Sequence, residues 1–108
     1  MFVSQTIIAS YPKPTDLSRL IHEPVRLHIL MHLASVEGEL RFSELRRRLG
    51  TTQGNLASHL RMLTCAGVIE SVHLYGEPNA EYFRMTAQGR GEFLAYLEKL
   101  QAVLALLY

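Results

Sequence analysis

The stretch TTQGNLASHLRMLTCAGVI, residues 51–69, decides how the chain reads. Leu56, Leu60 and Leu63 recur at i, i+4 and i+7, which gathers three leucines on one side of a helix. Gln53, Asn55, Ser58 and Arg61 fall on the other side: two amides, a hydroxyl and a guanidinium. Thr51 or Thr52 is a good N-cap, because its hydroxyl can accept a bond from a first-turn N–H that has no partner in the helix. Gly67 stops the helix, since a residue without Cβ takes up the left-handed C′ conformation freely. The spacing therefore predicts a helix over residues 52–66 with one docked face and one presented face. Val68 and Ile69 begin an extended segment.

Working upstream, Ser43 can cap a helix over residues 44–49, with Leu45 and Leu49 inward, the arginines outward and Gly50 at its end. Only Gly50 and Thr51 then separate two helices, a connection short enough for a helix-turn-helix. Further back, Pro24 suits the first turn of a helix reaching about Ser35, where its missing N–H would have no partner anyway. Leu27, Leu30 and Ala34 share one face of it, and Ile29 and Leu33 widen that face into a central core stripe. Val36, Glu37 and Gly38 form a turn, and residues 39–42 make a strand of two or three residues. The first residues form an apolar arm, closed by Pro12 and Pro14, and Thr15 caps a short helix over residues 16–22.

Downstream, residues 68–75 and 80–85 are rich in β-branched and aromatic side chains and flank the turn cluster Gly76-Glu77-Pro78-Asn79, which predicts a β-hairpin. Thr86 caps a last helix that runs to the C-terminus. Its Phe93, Leu97, Leu100, Leu104 and Leu107 step by 4, 3, 4 and 3, the seam of helices packed nearly parallel or antiparallel, with Leu94 and Val103 broadening it. At 1.5 Å per residue this helix is ~33 Å long and overhangs a domain of this size, so burial against a second copy is expected. The apolar N-terminal arm can join the same interface. The fold class is mainly α with a small β-hairpin: a winged helix-turn-helix with a long C-terminal dimerisation helix. The expected division is an arm over residues 1–14, a winged domain over 15–85 and a dimerisation helix over 86–108.

Composition bounds the reading. Of 108 residues, 48% are hydrophobic, enough for one core. The net charge of +1 does not decide on nucleic acid, so the distribution of charge must. There are nine arginines against two lysines, and Arg46, Arg47 and Arg48 are consecutive. The single cysteine, Cys65, excludes an intrachain disulfide framework and a multi-cysteine zinc site. No apolar run reaches the ~18 residues of a membrane span and no signal peptide is read at the N-terminus, so no membrane partner is expected and the default compartment is the cytoplasm. No nucleophile–base pair, phosphate-binding glycine loop or paired carboxylates suggest an enzyme, and no cofactor is expected.

A polar first turn held out by a leucine anchor suits reading base edges in a major groove, where Gln53 and Asn55 can pair with adenine and Arg61 can meet phosphate or guanine. Against this stands an ordinary solvated helix face. Gly54 costs about 1 kcal/mol against alanine in a helix interior, so either it lets the backbone approach a phosphate or it is tolerated near a helix end. Arg46, Arg47 and Arg48 span about 200° of a helix and cannot all meet one partner; one or two can reach phosphates. Arg41 and Arg84 lie near the base of the wing, where they can meet phosphate or pair with Glu39 and Glu81. His59 contacts phosphate or packs the helix. His28 and His32 have a zinc-compatible spacing but no third ligand nearby, so no metal is expected. Cys65 is expected to be a small buried residue.

With these motifs in hand, the sequence resembles a known group. EPVRLHILMHL, FSELRRRLG, TTQGNLASHLRMLTCAGVIE and YFRMTAQGR are similar to the small single-domain winged helix-turn-helix regulators related to the MarR and ArsR families, over residues 23–104. The resemblance implies a homodimeric transcriptional regulator with double-stranded DNA and a second copy as partners, the last helix (Phe93, Leu97, Leu100, Leu104, Leu107) as dimer interface, and Thr52, Gln53, Gly54, Asn55, Ser58 and Arg61 facing DNA. His59, Arg46, Arg47 and Arg84 complete the candidate set. One departure stands out: the wing tip, GEPNAE, carries Glu77 and Glu81 and no base until Arg84. Carboxylates are repelled by phosphate, which opens a second reading as a protein-interaction module with little DNA affinity. A third is a ligand- or metal-sensing regulator on the same scaffold, its small-molecule effector unidentified.

Overall fold

The computed structural model describes Leu20 and residues 23–107. The element order is α1 (Pro24–Ala34), β1 (Leu40–Arg41), α2 (Phe42–Leu49), α3 (Gln53–Cys65), β2 (Ile69–Val72), β3 (Tyr82–Met85) and α4 (Ala87–Leu107). The expected arm over residues 1–14 and the short helix over 16–22 lie outside the described residues, apart from Leu20, which is helical and packs half-buried on the core. Among the described residues no helix is long and apolar enough to cross a membrane.

Local signals start and stop these helices. Glu23 is the N-cap of α1: its carboxylate accepts from the Arg26 N–H at 3.0 Å, and Pro24 follows in the first turn. The Thr52 hydroxyl caps α3 by accepting from the Asn55 N–H at 3.1 Å. Gly50 ends α2 at φ 64° and Gly67 follows α3 at φ 77°, both in the left-handed region that favours glycine. Helix α2 departs from expectation, starting at Phe42 rather than after a Ser43 cap, with Arg41 as an N-cap that makes no side-chain bond. The reason is tertiary: the Phe42 N–H donates to the Glu81 carbonyl at 2.9 Å, so the wing loop satisfies the first N–H of the helix.

The sheet is antiparallel and three-stranded, in the order β1-β3-β2. β2 and β3 pair from Ile69↔Met85 to Val72↔Tyr82, and β1 adds Leu40↔Phe83 and Arg41↔Tyr82. The strands stop at Val72 and resume at Tyr82, so the wing loop is longer than the four-residue turn expected. Alternation along β3 buries Phe83 and Met85 and exposes Arg84.

Ile29, Leu30 and Leu33 of α1, Leu45 of α2 and Leu56, Leu60 and Leu63 of α3 meet Val68, Ile69, Phe83 and Phe93 in one core. Nine of its side chains are buried essentially completely. Removing a leucine-sized side chain from water contributes about 1.5–3 kcal/mol, so these contacts, rather than intrinsic helix propensity, set the angle between α2 and α3.

Helix α4 joins this core at its first turns only. The Thr86 hydroxyl donates to the Gly67 carbonyl at 2.7 Å and accepts from the Gly89 N–H at 2.9 Å. Gly89 lies so close to the wing root that a Cβ there would sit 2.0 Å from the Val68 carbonyl oxygen. Phe93 is buried, 2% exposed, and Tyr96 is half-buried against the core. Beyond them α4 leaves the domain, which makes the molecule 57 Å long against 30 and 25 Å in the other directions.

Candidate nucleic-acid interface

Helix α3 divides by exposure as its sequence divides by polarity. Leu56, Leu60 and Leu63 are buried, while Gln53, Gly54, Asn55, Ser58 and Arg61 are exposed, as is the capping residue Thr52. At about 100° per residue, Gly54, Ser58, Arg61 and Cys65 run down the outermost line, with Gln53 and Asn55 on its two flanks. A Cβ on Gly54 would meet nothing within 4 Å, so packing within the domain does not require glycine there. Among the described residues the Arg61 guanidinium has no ion pair or hydrogen bond, and it stands on the presented face as a free cation.

Two threonines order the first turn. Besides the cap from Thr52, the Thr51 hydroxyl accepts from the Asn55 side-chain amide, Nδ2 to Oγ1, at 2.8 Å. The Thr51 carbonyl in turn accepts from Arg46 Nε at 3.4 Å. Arg46, Arg47, Thr51 and Gln53 line an open groove of about 480 Å³ between the starts of α2 and α3.

The three consecutive arginines differ in what they meet. Arg47 and Arg48 both bond to Glu44, which lies three and four residues earlier on the same helix face, Arg48 at 2.9 Å. Hydrogen bonds from Arg47 and then Arg48 hold the Glu44 carboxyl down at about 2, so it stays ionised at neutral pH and offsets both charges. Among the described residues Arg46 alone of the three has no carboxylate partner. The signal for this pairing was present in the sequence as acid-to-base spacings of three and four residues.

The wing is neutralised likewise. Arg84, expected at phosphate or on Glu81, instead bonds Glu70 across the strand pair at 2.7 Å. That carboxylate holds the Arg84 guanidinium above its ordinary range. Arg41, expected at phosphate or on Glu39, is 4.0 Å from Glu77 and lies 6.0 Å from the centre of the Tyr82 ring. Glu77 also accepts from the Tyr82 hydroxyl at 2.9 Å, which pushes the Tyr82 phenol up, and Glu81 accepts from Ser71 at 3.0 Å.

Three expectations are corrected. His59 turns from the presented face towards α1: its Nε2 is 3.7 Å from Glu23, and its Nδ1 is buried without a hydrogen-bond partner. Cys65 is exposed rather than buried, since it falls on the outer line of α3. Phe93 cannot serve a dimer seam, because the domain's own core already covers it. The other seam positions, Leu97, Leu100, Leu104 and Leu107, are 37%, 40%, 44% and 72% exposed, and Leu94 and Val103 are exposed beside them. His28 is exposed and His32 Nδ1 lies 3.4 Å from Arg48; among the described residues no three His, Cys, Asp or Glu side chains gather as metal ligands. Sequence reasoning missed Glu44, Glu70 and Gly89 as determinants of the site.

A helix-turn-helix whose second helix presents a polar face, followed by a β-hairpin that pairs with a short strand ahead of it, defines a winged helix-turn-helix protein. The family model for the winged helix DNA-binding domain matches residues 25–104, and the chain belongs to that family. A transcriptional regulator homologue from Pyrococcus horikoshii OT3 is 30% identical, with a TM-score of 0.76 over 84% of this chain and 90% of that one. An uncharacterized HTH-type transcriptional regulator of Mycobacterium bovis is 36% identical over 64 residues, 59% of this chain. The match spans only 40% of that relative's length. The homodimeric winged helix-turn-helix DNA-binding domain of a possible ArsR-family regulator from Mycobacterium bovis shares the fold, with a TM-score of 0.63 at 19% identity over 79% of this chain and 74% of its own.

Proposed function

We propose that the chain acts as a homodimeric DNA-binding transcriptional regulator that lays α3 in the major groove. The observation that carries this reading is the presented face of α3: an exposed row of amide, hydroxyl and guanidinium groups on a helix anchored by three buried leucines. Thr52, Gln53, Asn55 and Ser58 supply polar groups for base edges, Gly54 admits the DNA backbone, and Arg61 and Arg46 meet phosphates. Arg47 reaches phosphate only by leaving Glu44, and Arg84 only by leaving Glu70. The exposed seam Leu97, Leu100, Leu104 and Leu107 supports a dimer, and the homodimeric state of the Mycobacterium bovis domain agrees with it. Two copies would present recognition helices about 34 Å apart, so the operator is an inverted repeat. We propose the cytoplasm as the compartment in which it meets DNA.

The test is binding of the purified chain to random duplex DNA across a salt series. The reading requires a slope of log affinity against log salt worth several released counterions. Arg61→Ala should weaken binding at every sequence and reduce that slope by about one. A flat, weak response would reject the reading. It would favour the protein-interaction module instead, for which the observation is the wing: its single arginine is bonded to Glu70 and its tip is acidic.

A further inference from the structure

We infer that Thr51 is a positioning residue that sets the Asn55 amide for base reading, so that Asn55, rather than Gln53, is the side chain that discriminates bases. This rests on the DNA-binding reading above and assigns its specificity. Asn55 is held twice by consecutive residues, its backbone N–H by the Thr52 hydroxyl at 3.1 Å and its side-chain Nδ2 by the Thr51 hydroxyl at 2.8 Å. Thr51 is itself half-buried and tied to α2 through Arg46. The orientation of the amide is thus set by the turn between the two helices before any DNA arrives.

The chemistry follows from what is left over. A carboxamide has two N–H donors and one acceptor oxygen. Thr51 takes one N–H, which leaves one donor and Oδ1 for a base edge. That pair matches the N7 acceptor and N6 donor that adenine shows in the major groove. Gln53 carries the same groups at the start of the presented face, yet among the described residues its side chain has no hydrogen-bond partner, and its extra rotatable bond leaves the amide free to turn. A free amide must lose that freedom on binding and can re-aim at more than one base, whereas a held one cannot. Gln53 therefore adds affinity with weak preference, and Asn55 adds preference.

The experiment starts from an operator selected by the wild-type chain out of a random duplex pool. Affinities for this operator and for every single-base variant are then measured for wild type, Gln53→Ala, Asn55→Ala, Thr51→Val, Thr51→Ser and the double variant Thr51→Val/Asn55→Ala. Asn55→Ala should lose about tenfold or more in discrimination at one base position, the share expected of a bidentate pair. Thr51→Val, which keeps shape but removes the hydroxyl, should lose about threefold to tenfold at the same position with an unchanged salt slope. Thr51→Ser should restore the loss, and Thr51→Val should add nothing once Asn55 is alanine. In the free protein, the NMR resonance of one Asn55 side-chain amide proton should be protected from exchange and lose that protection in Thr51→Val. A uniform loss across all duplexes in Thr51→Val, an effect that persists without the Asn55 amide, or larger discrimination lost in Gln53→Ala would each overturn the inference while leaving DNA binding intact. A wild-type chain that binds no duplex overturns both readings together.

Discussion

Helices α3 and α4 carry leucines at the same spacing and put them to opposite ends. On α3, Leu56, Leu60 and Leu63 are fully covered by α1, the sheet and α2. On α4, the stripe that begins at the buried Phe93 continues through Leu97, Leu100, Leu104 and Leu107, which stay exposed. Helical periodicity decides which residues share a face, but not what lies opposite that face. For α3 the opposite surface is supplied within a few tens of residues by the rest of the domain. For most of α4 no such surface is supplied by the described residues, and on the dimer proposed above it is a second copy that supplies it; a contiguous apolar stripe of this length is the kind of surface that marks an interface.

That contrast can be broken in three places. Leu56→Ala should have the largest effect, lowering stability by about 2–5 kcal/mol in denaturant titration because a fully buried leucine leaves a cavity behind. The loss should be the same at every protein concentration. The pair Leu100→Ala and Leu104→Ala should act differently, raising the dimer dissociation constant by roughly thirtyfold or more, a hot-spot-sized effect of about 2 kcal/mol, while the isolated chain stays folded. Sedimentation equilibrium reads the first part. The second appears as loss of the concentration dependence that a dimer gives its melting temperature. A wild-type chain that sediments as a monomer would remove the distinction between the two helices altogether.

A third substitution sharpens the boundary inside α4. Gly89→Ala should cost about 1–3 kcal/mol by calorimetry, because the new methyl meets the Val68 backbone, although alanine is the better helix former. The same change at Gly91, where a Cβ meets nothing within 4 Å, should be neutral or stabilising. If the two substitutions behave alike, the start of α4 is not locked to the wing root and the whole helix belongs to the dimer arm.

The legible parts of the site were those built from neighbours along the chain. The leucine stripe of α3, its Thr52 cap and the glycines at positions 50 and 67 rest on helical geometry and on backbone preferences, which act over a few residues. The Glu44 pairing with Arg47 and Arg48 was equally local, and the i+3 and i+4 spacing would have revealed it. Other features needed the folded chain. Arg84 meets Glu70 only because β2 and β3 pair in this register, and β1 joins the wing through pairings some 40 residues apart in sequence. His59 lies at the edge of the buried face of α3, and its turn towards Glu23 depends on where α1 packs.

The sequence by itself therefore determined α1, α3 and α4, the glycine stops at positions 50 and 67, the polar face of α3 and the apolar stripe of α4, because each arises from contacts between residues close in the chain. Only the tertiary structure decided that Arg84 is tied to Glu70, that Phe93 belongs to the core and not to the seam, and that Gly89 is required for close packing. Those outcomes depend on which surfaces the core brings within a few ångströms of one another, and side-chain periodicity carries no information about the surface that will lie opposite.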